Sequence, residues 1–204
     1  MSLYHPLPRT FYQRSAKQVA PDLLGRYLVR RLGGERLVLR IVETEAYLGA
    51  PDRASHAWAD RRTERTRALF RLGGVAYVYL IYGIHHMLNV VTGRPEDGSA
   101  VLIRAGQPVD GEASMAAMRG LAGRTKPGDL AGGPGKLCSA LAIDLGLNRA
   151  SFASGPLRLT RGEPVSGAAT AVGPRIGIDY SGTAAAWPLR FAEAGNLHVS
   201  RPRL

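Results

Sequence analysis

Two glutamates stand two residues apart inside an otherwise strand-forming run, Leu37-Val38-Leu39-Arg40-Ile41-Val42-Glu43-Thr44-Glu45-Ala46-Tyr47. Side chains on a strand alternate with a period of two, so the run is expected to place Ile41, Glu43, Glu45 and Tyr47 on one face. Carboxylates on such a face are costly to bury unless they are paired or put to use. The chain must therefore build a sheet that carries either a solvated edge or a polar site at this point. Spacing alone leaves three readings open. They are two ordinary acids at a solvated edge, a general base beside an aromatic wall, or the carboxylate pair of an inverting glycosidase, roughly 7 Å apart.

The surrounding segments suggest what kind of sheet this is. Ser15 to Leu24 reads as a short helix closed by Gly25, with Pro21 making its last turn irregular. Tyr27 to Leu32 and Leu37 to Tyr47 flank Gly33-Gly34 as a hairpin, and Tyr77 to Ile81 and Met87 to Val91 flank Gly83 as a second. Val101 to Arg104 reads as a further strand, and Gly111 to Leu121 and Leu137 to Leu145 read as helices. Short strands return at Leu157 to Thr160, Arg175 to Ile178 and Leu189 to Phe191. Strands and helices do not alternate strictly, so the expected class is α+β with a largely antiparallel sheet. At 204 residues with no evident linker, residues 1–204 are expected to form a single domain.

Composition narrows the partners. There are 27 Lys+Arg against 16 Asp+Glu, a net +11, and 24 of the 27 are arginine. Such an excess points to a polyanion, either nucleic acid or an anionic membrane surface. The longest apolar run, about Val75 to Ile84, is far shorter than the ~20 residues of a spanning helix. Met1 to Pro6 lacks the pattern of a secretory leader, so a soluble, cytoplasmic protein is expected. Cys138 is the one cysteine, and the histidines (His5, His56, His85, His86, His198) lack chelating spacing, so no metal is expected.

Three further signals bear on function. Tyr77 and Tyr79 share a strand face, where Tyr77 reads as core, whereas Tyr82 sits beside the turn at Gly83. An aromatic at an exposed tip near arginines suits stacking on bases or wedging between them. Arg61, Arg62, Arg65, Arg67 and Arg71 fall within eleven residues, as a phosphate clamp or as a solvated charged face. Gly132-Gly133-Pro134-Gly135-Lys136-Leu137 fails as a nucleotide phosphate loop, because Leu130 and Leu137 stand where Gly and Ser/Thr are required. A glycine-rich turn into a helix can still meet a DNA phosphate.

Taken together, Leu23 to Gly25, Arg40 to Gly49, Asp52 to His56, Tyr77 to Gly83, Val101 to Ala105 and Gly133 to Cys138 resemble the alkyladenine (3-methyladenine, methylpurine) DNA glycosylase family. The resemblance runs in order through nearly the whole chain. It implies a mixed α+β domain with a curved, largely antiparallel sheet, flanking helices and a protruding hairpin that enters the DNA minor groove. It also implies cofactor-free hydrolysis of the N-glycosidic bond of damaged purines in double-stranded DNA, by a monomer associated with the nucleoid. In that resemblance Glu45 matches the general base and Arg104 the arginine that holds it. Tyr47, His56 and Tyr79 match the side chains around the flipped base, Asn89 the residue that screens guanine, and Leu102 a pocket wall. Tyr82 matches the intercalating residue, while Ile84, His85, Arg61, Arg62, Arg65, Arg67 and Lys136 are expected to contact DNA. Ile84-His85-His86-Met87 departs from the more aromatic stretch of the family, and Glu43 carries over as structural. The rival reading is a non-catalytic basic nucleic-acid-binding protein.

Overall fold

Gly33 and Gly34 both hold left-handed backbone (φ 56° and 85°), the conformation that a two-residue hairpin turn demands. They join strand β1 (Tyr27–Leu32) to β2 (Glu35–Tyr47), whose thirteen residues make it the axis of the molecule. The computed structural model describes residues 5–121, 123 and 125–204; Met1–Tyr4, which include most of the segment read for a leader, lie outside them. Strands β3 (Ala76–Ile81) and β4 (His85–Thr92) form the second hairpin, and β5 (Ser99–Asp110) joins it to β2. On the opposite edge of β2, Glu35–Arg40 pairs with β1, and Glu43–Glu45 with β8 (Arg190–Glu193). Strand β6 (Leu157–Thr160) extends the sheet from β1, and β7 (Thr170–Gly173) pairs with β8. Every pairing in this eight-stranded sheet is antiparallel, so the fold is α+β.

Short helices complete the fold: α1 (Arg9–Tyr12), α2 (Ala16–Asp22), α3 (Glu112–Met118) and α4 (Pro134–Ala140). Ser15 and Gln18 cap α2 reciprocally, which satisfies donors that its first turn leaves free. Val19, Ala20, Met115, Leu137 and Cys138 pack on Leu37, Leu39, Ile41, Val78, Leu88, Val90, Val101 and Ile103 in the main core. A second, smaller cluster holds Ala57, Leu69, Phe70, Tyr77, Val91 and Ala100, with Tyr79 packed against it. The alternation along β3 and β4 thus sends Val78, Leu88 and Val90 to the main core, and Tyr77, Tyr79 and Asn89 the other way.

The structure corrects several expectations. Ile41 does not share the face of Glu43 and Glu45, because the β2–β5 register shifts between Ile41 and Glu43 and again before Thr44. Leu37, Leu39 and Ile41 enter the main core below this bulge, and Ala46 enters it above, so the parity has switched. Val101–Arg104 is only part of β5, which continues past Gly106 and takes in Pro108 where the register shifts again. Arg175–Ile178 is a loop rather than a strand. Pro174 offers no amide, the Ile176 amide donates to Glu45, and the Arg175 side chain is spent on Asp52. The helices begin where Gly111 (φ 79°) and Pro134 allow and are shorter than expected, with α4 ending before left-handed Ala142.

Candidate active site

The face of the sheet away from the main core carries a cleft of about 350 Å3, lined by Tyr47, His56, Tyr77, Tyr79, Tyr82, Asn89, Leu102, Arg104, Ile176 and Tyr180, among others. Glu45 stands immediately behind this wall with no exposed surface. Its Oε1 accepts from the Ile176 amide at 2.8 Å and faces Arg104 Nη1 at 3.1 Å, and its Oε2 accepts from the Tyr47 hydroxyl at 2.9 Å. One acceptor position of Oε2 remains beyond these three contacts.

Arg104 binds both acids. Its Nε donates to Glu43 Oε1 at 2.9 Å and its Nη1 faces Glu45. In the ladder Ala105 pairs with Glu43 and Ile103 with Thr44, so Arg104 is the residue left over at the bulge. The extra residue turns its side chain toward the two carboxylates. Burial works against the guanidinium charge, but Glu45 and Glu43 more than restore it. Glu43 also accepts from Arg190 Nε at 2.7 Å, the Ser200 amide at 2.8 Å and the Ser200 hydroxyl at 2.9 Å. Burial alone would raise the Glu43 carboxyl; Arg104, Ser200 and Arg190 outweigh it and hold the group below the usual carboxylate range.

The aromatic walls are held equally firmly. His56 Nδ1 lies 2.9 Å from the Tyr77 hydroxyl, and its ring meets Tyr79 edge-on at 4.6 Å. Burial first, then Arg65 and Arg61, push this imidazole down to about 4, so it is neutral near pH 7. Burial and the Glu45 carboxylate push the Tyr47 phenol well above its ordinary value, which keeps it a proton donor. Arg175 lies over the Tyr47 ring at 4.7 Å while gripping Asp52 with contacts of 2.5 and 2.9 Å. Asp52 in turn accepts from the Leu48 and Ala54 amides, fixing the turn that carries His56. Asn89 donates from Nδ2 to the Tyr77 carbonyl at 3.2 Å and, with Leu102, lines the same cleft.

Tyr82 and Gly83 form the tip of the β3–β4 hairpin in left-handed backbone (φ 53° and 71°), closed by the Ile84 amide donating to Ile81 O. Tyr82 is 86% exposed, and Ile84 and His85 beside it are exposed too. The Gly135-Lys136 turn abuts this hairpin: a Cβ on Gly135 would lie 3.1 Å from the His85 ring. Lys136 itself is exposed and donates to Gly128 O at 3.4 Å.

Glu45, Arg104, Tyr47, His56, Tyr79, Asn89, Leu102 and Tyr82 thus converge on one cleft. The arginine-rich stretch divides instead. Arg62 pairs with Asp60 and Glu96, and Arg67 with Glu64, while Arg61 and Arg65 line a neighbouring cleft. Arg175, Ile176, Arg190 and Ser200 are site residues that no local pattern marks, since the acids they bind lie more than a hundred residues away.

A sheet that keeps its main apolar core on one face and an aromatic cleft backed by charged side chains on the other has the build of an enzyme with a preformed pocket. Residues 10–197 match the family described as methylpurine-DNA glycosylase (MPG). Among curated relatives, one from Myxococcus xanthus is 48% identical over 96% of this chain and 93% of its own length. One from Methanocella arvoryzae is 47% identical over 96% of both chains, and one from Bacillus subtilis 43% over 97% of both. Each bears the name "Putative 3-methyladenine DNA glycosylase". The chain belongs to the methylpurine-DNA glycosylase family and is a DNA glycosylase, an enzyme of DNA repair. The non-catalytic reading is set aside. No helix among the described residues is long and apolar enough to cross a membrane.

Proposed function

We propose that the protein excises alkylated and deaminated purines, of the 3-methyladenine, 7-methylguanine and hypoxanthine type, from damaged duplex DNA and leaves an abasic site. The observation that carries this reading is the Glu45 carboxylate, held by Arg104, Ile176 and Tyr47 against the aromatic cleft. A base inside a duplex must leave the stack before its glycosidic carbon can be reached, at a cost of a few kcal/mol. Tyr82, exposed at the hairpin tip, fills the gap, and the base enters between the Tyr47 and Tyr79 walls. A cationic alkylpurine gains about 0.5–2 kcal/mol against these rings, and neutral His56 does not repel it.

The C1′–N bond then breaks heterolytically, and the base departs with the bonding pair, as a neutral purine from a cationic lesion and with uptake of a proton from water for hypoxanthine. A water held on Glu45 Oε2 attacks C1′ of the oxocarbenium-like sugar and gives its proton to the carboxylate. Asn89, fixed to the Tyr77 carbonyl, screens purines by their exocyclic amine. Lyase chemistry through a Schiff base would need an amine at the cleft, and Lys17, Lys126 and Lys136 do not line it. Membership of the methylpurine-DNA glycosylase family supports a monofunctional enzyme.

The test is release of free base from a duplex with a single 7-methylguanine or hypoxanthine. Base release together with an alkali-labile site is expected. Tight binding to the lesion duplex without any base release would overturn the reading.

A further inference from the structure

The arginines near the cleft fall into two sets. Arg62 and Arg67 are neutralised by neighbouring acids, whereas Arg53, Arg61 and Arg65 have no acidic partner among the described residues. These three line the second cleft, of about 320 Å3, together with Trp58, Thr63 and Tyr180. Trp58 is 44% exposed and Tyr180 is 70% exposed, which leaves two large aromatic surfaces in water. The Arg53 guanidinium backs the Trp58 ring at 5.1 Å. Directly after Trp58, both Ala59 and Asp60 hold left-handed backbone (φ 53° and 59°), which non-glycine residues rarely adopt. Strain of this kind persists where the surroundings impose it, and it concentrates at functional sites. The second cleft shares Ser55, His56 and Tyr180 with the base cleft, so a single layer of side chains separates them.

Open aromatic faces beside unpaired guanidinium groups suit an unstacked nucleotide, whose base stacks while its phosphate meets the charge. We propose that this cleft is a second nucleotide site, which holds an unpaired neighbour of the flipped nucleotide with its base on Trp58 and Tyr180 and its phosphate on Arg53 and Arg61. The proposal rests on the glycosylase reading and extends it: a lesion whose neighbour is also unpaired gains contacts here that a fully paired duplex does not offer.

Trp58 reports on its own site. The chain has two tryptophans, so in a Trp187→Phe background only Trp58 emits. Titration with undamaged single-stranded pentathymidylate, with binding followed independently by calorimetry, is expected to change Trp58 emission saturably. Arg53→Ala is expected to weaken that binding roughly fivefold, and Trp58→Ala roughly five- to tenfold. Trp58→Ala should also slow excision from a lesion in a five-nucleotide bubble more than from a fully paired duplex. Pentathymidylate binding that leaves Trp58 emission unchanged, absence of binding, or equal losses on bubble and duplex would each overturn the site. If Trp58→Ala does not fold, Arg53→Ala, at an exposed position, carries the same comparison. Base release by the unaltered enzyme keeps the outcomes separate. Release with a silent Trp58 sinks the second site alone; a responsive Trp58 without release sinks the glycosylase reading alone.

Discussion

Glu43 and Glu45 lie two residues apart on one strand, share Arg104, and have no exposed surface, yet their surroundings differ. Glu43 is enclosed by Arg104, Arg190 and Ser200, none of which except Arg104 reaches the cleft. Every donor to Glu45 (Tyr47, Arg104 and Ile176) is itself part of the cleft wall. Exposure does not distinguish the two acids; the onward contacts of their partners do. One end of the motif is enclosed by the fold, and the other is held by the cleft wall.

That contrast can be broken most decisively at Glu45. Glu45→Gln is expected to lower excision by roughly 10^2–10^4-fold while leaving affinity for abasic-site DNA within about twofold. Comparable single-turnover rates for the two proteins would erase the distinction. Glu43→Gln is expected to act on the fold instead. It leaves Arg190 buried without its charge partner and Arg104 with Glu45 alone, a loss of about 3–5 kcal/mol in urea denaturation. Below its unfolding midpoint it should retain more activity than Glu45→Gln, and the opposite ranking would reverse the assignment.

The motif itself was readable from period-two spacing and the Gly33-Gly34 turn, and the strand boundaries of β1 and β6 follow directly from apolar runs flanked by turn residues. The bulge at Val42-Glu43 was not readable. Nothing in Ile41-Val42-Glu43 marks an added residue, because the shift is defined only by pairing with β5, where Arg104, 61 residues from Glu43, is skipped in the ladder. The Arg175–Asp52 pair spans 123 residues and the Ser200–Glu43 contact 157, beyond the reach of any local periodicity. For the same reason Arg175–Ile178 looked like a strand: its apolar spacing was visible, whereas the groups consuming its hydrogen bonds were not.

Smaller effects sharpen the cleft side of the comparison. His56 titrates near 4 in the fold and near 6.5 unfolded, so between these values the folded state binds fewer protons. The contribution is complete above about pH 6.5 and is lost as pH falls toward 4, by at most ~3 kcal/mol. The stability difference between wild type and His56→Gln should therefore vary with pH across that window; a constant difference would show that His56 is not held neutral. Tyr82→Ala is expected to weaken flipping in duplex DNA by about tenfold and excision from an unpaired lesion much less, since only the duplex has a gap to fill. Equal losses would remove the wedge. The smallest effect separates two neighbouring arginines. Arg61→Ala should reduce the slope of log affinity against log salt by roughly 0.9, and Arg62→Ala, already tied to Asp60 and Glu96, by less.

The Ser200 cap on Glu43 has a consequence in time. During synthesis Glu43 is made 157 residues before the amide and hydroxyl that enclose it. At ~5–20 residues per second that interval is roughly 8–30 s, during which its carboxylate and Arg104 lack their final seal. Ile176 and Tyr180 of the cleft wall also come late, so the site as a whole is complete only when nearly all of the chain has been translated.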